Sequence, residues 1–107
     1  MCKGTTNWED VYIIDINIIP EETLGQLNYG WVKNHGGIPV DECIGKEVED
    51  LVIQGVVTVG SCCGHERWNA HILTPYSEKD KLEKLGYQTK VYNDFYLWTN
   101  LKTGTQV

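Results

Sequence analysis

VDECIGKEVEDLVIQGVVTVGSCCGH, residues 40–65, holds the helix, the strand and the loop around which this chain is organised. Val40, Ile44, Val48, Leu51 and Val52 recur at spacings of four, four, three and one, which makes one apolar face at the helical period. Pro39 and Asp41 mark the expected start of that helix, and Gly55 supplies its stop. Cys43 lies beside the apolar face, where a cysteine ordinarily serves as a small buried hydrophobe. Val56-Val57-Thr58-Val59 is short and almost wholly β-branched, and this predicts a central strand. It runs directly into Gly60-Ser61-Cys62-Cys63-Gly64-His65.

Upstream, Tyr12, Ile14, Ile16 and Ile18 alternate with more polar positions and predict a half-buried strand over 11–18. Pro20-Glu21-Glu22 opens a helical turn ending near Gly25. Residues 25–39 mix glycine and asparagine with Tyr29, Trp31 and His35, the composition of an irregular loop. Such a loop either packs over the core edge or offers Tyr29 or Trp31 for stacking on a planar ligand. Downstream, Trp68, Ala70 and Ile72 alternate as in a strand, and Ser77 with Asp80 opens a short helix through Leu82 and Leu85 to Gly86. The segments 88–92 and 95–101 flank Asn93-Asp94, a hairpin turn. The expected architecture is a single α+β domain over residues 1–107. It has a small mixed or antiparallel sheet of about four to five strands with one long and one short helix.

Composition narrows the partners. The chain of 107 residues is 41% apolar and 22% charged, as in ordinary globular proteins. Fifteen acids against nine bases give a net charge of −6, and Arg67 is the one arginine. Extended nucleic acid, which is held by clustered Lys and Arg, is not an expected partner. No run of eighteen apolar residues suggests a membrane span, and Met1-Cys2-Lys3-Gly4-Thr5-Thr6 lacks the apolar stretch of a secretory signal. The expected location is the cytoplasm, with Cys2, Cys43, Cys62 and Cys63 as reduced thiols. At this size the core is modest, and a homo-oligomer is expected.

The candidate site is the loop after the predicted central strand. Gly60 and Gly64 permit a sharp turn, in which successive N–H groups make a nest for phosphate or carboxylate. Ser61 adds a hydroxyl, His65 a titratable ring and Arg67 a guanidinium fork. Three readings stay open. The loop holds an anion or nucleotide; or Cys43, Cys62, Cys63 and His65 form a zinc site; or a cysteine is a nucleophile activated by His65. The zinc reading lacks the paired Cys or His knuckles usual in structural sites.

Met1-Cys2-Lys3-Gly4-Thr5, the Asp41, Cys43, Ile44 element and Ser61-Cys62-Cys63-Gly64-His65 together resemble a group of small phage and prophage proteins. The likeness covers residues 1 to about 73. It departs at Glu66, Arg67, Trp68 and Asn69, where that group continues with glycine, a base and Pro-Gly. A shorter likeness, to the Ser-Cys-Ser-Gly-Arg loop of wybutosine-synthesis methyltransferases, carries no expectation of S-adenosylmethionine. The resemblance to phage proteins implies counter-defence: a non-enzymatic sponge that sequesters an ADP-ribose-derived nucleotide signal, as anti-Thoeris proteins do. In that reading Ser61, Gly64, His65 and Arg67 hold the phosphates, Tyr29, Trp31 or Trp68 stacks on the base, and Cys62 and Cys63 belong to the same ligand-binding loop. No cofactor is expected, with zinc as the alternative. The functional alternatives are a nucleotide-cleaving or thiol- or zinc-dependent hydrolase, and a zinc-stabilised protein-interaction module.

Overall fold

The backbone of residues 37–41 decides how the elements assemble, because Pro39 stands in the middle of a strand. The computed structural model describes residues 11–27, 29–64, 67–104 and 106. Strand β1 (Val11–Asp15) pairs antiparallel with β2 (Gly37–Asp41), with Ile13 opposite Pro39. Strands β3 (Gly60–Cys62), β4 (His71–Pro75), β5 (Thr89–Val91) and β6 (Tyr96–Asn100) form a second antiparallel sheet in the order β3-β4-β6-β5. The helices are α1 (Glu21–Leu24), α2 (Tyr29–Asn34), α3 (Glu42–Ile53) and α4 (Lys79–Lys84). The fold is α+β, as the sequence pattern predicts.

Helix α3 buries Ile44, Val48, Leu51 and Val52, four of the five residues of the expected apolar face, whereas Val40, the fifth, belongs to β2. At ~1.5–3 kcal/mol for each fully buried aliphatic side chain, this stripe is a principal source of stability. One cluster joins it to Ile14 and Val40 of the small sheet and to Ile72 and Leu101 of the large sheet's region. Gly45 is required where α3 crosses β1, since a Cβ there would lie 2.3 Å from the Tyr12 ring.

Several boundaries differ from the sequence reading. Strand β1 ends at Asp15, whose carboxylate accepts the Asn17 N–H and turns the chain into a 3₁₀ helix over Ile16–Ile18. Ile18 is accordingly exposed rather than on a shared buried face. The expected loop over 25–39 contains α2 and most of β2, since Val32 (2% exposed) anchors a helical turn in the core. Pro39 lies inside β2, and α3 begins only at Glu42. Among the described residues there are six strands in two sheets rather than four to five in one.

Val56-Val57-Thr58-Val59 is not a laddered strand. Val56, Val57 and Thr58 are buried in a connection, and bonding to β4 begins with the Val59 N–H, which donates to the Leu73 carbonyl just before β3. The reason is visible in the acceptors. The Val57 N–H donates to the buried Glu78 carboxylate at 2.7 Å instead of to a neighbouring strand. Asn93 closes the β5–β6 hairpin by accepting the Phe95 and Tyr96 N–H groups on its side-chain oxygen.

A carboxylate also ties down the segment after β6. Glu47 on α3 accepts the N–H groups of Lys102 and Thr103, the Thr103 hydroxyl and the Tyr87 hydroxyl. Burial pushes the Glu47 pKa up, but these donors together outweigh it and hold it below its ordinary 4.5. A carboxyl depressed on folding contributes stability above its unfolded pKa and loses it as pH falls through the folded value. The urea midpoint of the protein should therefore decline as pH drops below about 4.5. Glu47→Gln should start lower at pH 7 and show a shallower decline over the same range, measured by circular dichroism.

Candidate functional site

The two sheets approach each other at the unpaired edges of β2 and β3, and the main chain explains why they do not join. The Ile16 N–H donates to the Gly36 carbonyl, so within this register Ile14 with Ile38 and Tyr12 with Val40 are the pairs whose amides face across the β1–β2 ladder. Pro39 then turns its nitrogen toward the opposite edge, where it has no hydrogen to donate. Beyond this point the edges are riveted rather than laddered. Asp41, 3% exposed, accepts the buried Cys63 N–H on Oδ2 at 2.9 Å.

Between the edges lies a cavity of about 420 Å³, within the range of small-molecule sites. Ile38 and Pro39 form one wall, and Thr58, Val59, Gly60 and Ser61 the other. Gln26, Leu27, Trp31 and Val32 complete the lining. No charged side chain is among these ten residues. Trp31 keeps 46% of its surface exposed, whereas Val32 beside it is buried, so α2 is anchored by one residue and presents the other. His35 supports the indole from behind: its ring lies 4.3 Å from the Trp31 ring, and its Nδ1 is 2.8 Å from the Trp31 carbonyl.

The structure brings Trp31 and Ser61 of the expected site together and distributes the rest elsewhere. Cys63 is fully buried and gives its amide to Asp41, and the Gly64 N–H points at the Cys62 sulfur at 3.4 Å. Two amides of the anticipated nest thus have protein acceptors, and a carboxylate stands where an anion was expected. Arg67 and Trp68 are exposed in the turn whose N–H groups return to the Gly64 carbonyl, and neither lines the cavity. Tyr29 opens α2; its side chain and the whole of His65 lie outside the described residues.

The thiol and metal readings rest on the same loop. Cys43, Cys62 and Cys63 are thiols rather than half-cystines. Among the described residues, no three His, Cys, Asp or Glu side chains come together as metal ligands would. His71 stands directly across the ladder from Cys62, but its ring lies on Trp98 at 3.4 Å, and its Nδ1 is 3.0 Å from the Asn69 carbonyl. Burial holds that imidazole below its ordinary pKa of 6.5.

Apart from Gly60 of the expected loop, the sequence reading does not mark the other lining residues as part of a site. The available signal was Pro39 within the alternating Gly37–Asp41 run, which marks a strand with one unusable edge. Among the described residues, no helix is long and apolar enough to cross a membrane. No family model, curated protein or solved structure matches the chain.

Removing the Asp41 acceptor should loosen the join between the sheets. Asp41→Ala should cost about 1–3 kcal/mol of stability, the usual penalty for orphaning a buried donor. Asp41→Asn, which keeps a side-chain oxygen, should cost less. Amide hydrogen exchange at Cys63 gives the local readout, with protection falling furthest in the alanine variant.

Proposed function

We propose that this protein is a binding module that sequesters a nucleotide-class ligand, with the base in the cavity between β2 and β3 and the phosphates at its mouth. The observation that carries the reading is the half-exposed Trp31 indole over a cavity that also holds uncharged hydrogen-bonding groups. Stacking on an aromatic side chain contributes roughly 1–3 kcal/mol. Together with a few hydrogen bonds this approaches the ~8 kcal/mol of a micromolar complex.

The chemistry of the lining favours holding over conversion. None of the ten residues is an acid, a base or a thiol, and proton transfer in a hydrolytic step requires a titratable group within reach. The uncharged lining also directs the phosphates outward, away from Asp41. The likeness of the Ser61–His65 loop and the first residues to phage proteins supplies the setting: removal of an ADP-ribose-derived host signal in the cytoplasm of an infected cell. A homo-oligomer belongs to the same reading, since Val91, Tyr92 and Phe95 expose apolar surface at the β5–β6 hairpin for a second copy to cover.

The reading is tested by incubating the protein with ADP-ribose and related nucleotides, then analysing the complex by native mass spectrometry and the heat-released ligand by chromatography. Intact ligand, lost at least about tenfold in affinity on Trp31→Ala, is the expected result. A converted product would establish a hydrolase instead, and binding indifferent to Trp31→Ala would place the ligand elsewhere.

A further inference from the structure

Gly60 and Ser61 of β3 line the cavity together with Trp31, and the ladder determines which way their main-chain polar groups point. The Leu101 N–H donates to the Ala70 carbonyl, and the register of β4 against β6 pairs Ile72 with Thr99 two residues further on. In an antiparallel ladder the amides of alternate residues face the same side. Ala70 and Ile72 therefore turn their amides to β6, and His71 and Leu73 turn theirs to β3. Ser61 is the residue of β3 opposite Ile72. Its N–H and C=O consequently face away from β4, toward the unpaired edge and the cavity that Ser61 lines. The Cys63 N–H, two residues on, points to the same side and reaches Asp41. Across the gap, Pro39 has no N–H with which to satisfy the Ser61 carbonyl.

In an extended residue the N–H and C=O stand side by side, one donor next to one acceptor. That is the complement of the Watson–Crick edge of a nucleobase, which presents an adjacent acceptor and donor in each of the common bases. We infer that Ser61 reads the base through its main chain, pairing with the Watson–Crick edge while Trp31 covers the ring. This rests on the nucleotide reading given above and narrows it to a substrate class: nucleotides whose base has that edge unsubstituted. The ring cannot be presented by its sugar side, and a nucleotide joined or alkylated through the Watson–Crick edge is rejected. Because the selecting groups are main chain, the Ser61 hydroxyl is dispensable.

The experiment measures affinities, by calorimetry on the full chain, for AMP, GMP and UMP and for N6,N6-dimethyl-AMP, N1-methyl-GMP and N3-methyl-UMP. Whichever parent nucleotide binds best should lose at least about tenfold on methylation. Ser61→Pro removes the N–H at an edge position where the ladder does not use it, and should lose at least about tenfold. If Ser61→Pro fails to fold by circular dichroism, the methylated series decides. Equal binding of parent and methylated nucleotides, both abolished by Trp31→Ala, would overturn the edge contact and leave the nucleotide reading standing. Absence of binding by all three parents, or binding unaffected by Trp31→Ala, would overturn both.

Discussion

The contact between the Asp41 carboxylate and the Cys63 amide joins two sheets that share no ladder, and the rest of the molecule is arranged around that join. On one side of it, α3 leaves β2 directly and carries the apolar stripe into the core. On the other, the chain from Cys63 to Ala70 must begin at a fixed point before β4 can enter the sheet. Were the sheets free to slide, Ile14 and Val40 would lose register with Ile72 and Leu101 in the common cluster. The cavity between β2 and β3 has its walls held at one end by this bond.

Among the described residues, Asp41 is one of three acidic residues that accept a main-chain N–H distant in sequence. Glu78 receives the Val57 N–H, Glu47 receives those of Lys102 and Thr103, and Asp41 receives that of Cys63. Each serves a segment that is extended or turning but unpaired. A buried amide without a partner is expensive, and a carboxylate is a strong acceptor available from a helix or a strand end. Part of the chain's acidity is therefore structural. It satisfies backbone where the sheets are too short to do so.

This also explains which features could be read from the residues alone. The α3 stripe, the stop at Gly55 and the Asn93 turn are set by contacts between residues close in sequence, and they were legible. Val56–Val59 was misread because β-branched runs look alike whether they pair with strands or with the Glu78 side chain 21 positions away. The segment 25–39 looked irregular because its helix is a single anchored turn whose stability comes from Val32 in the core, a tertiary effect. At the site, Trp31 and Ser61 were both singled out, but their adjacency depends on the gap beside Pro39. The cysteines drew attention as reactive groups, whereas Cys63 serves through its amide and its bulk.

With a β-branched residue in place of Pro39, six strands would be candidates for one continuous sheet. The imino acid interrupts it, so the hydrogen-bonding pattern is broken beside the cavity that Pro39 and Ser61 line. A visitor completing that pattern would act as a surrogate strand residue, and occupancy would stiffen the two halves against each other. On the reading proposed above, recognition and cohesion draw on the same seam, which ties the grip on a guest to the firmness of the fold.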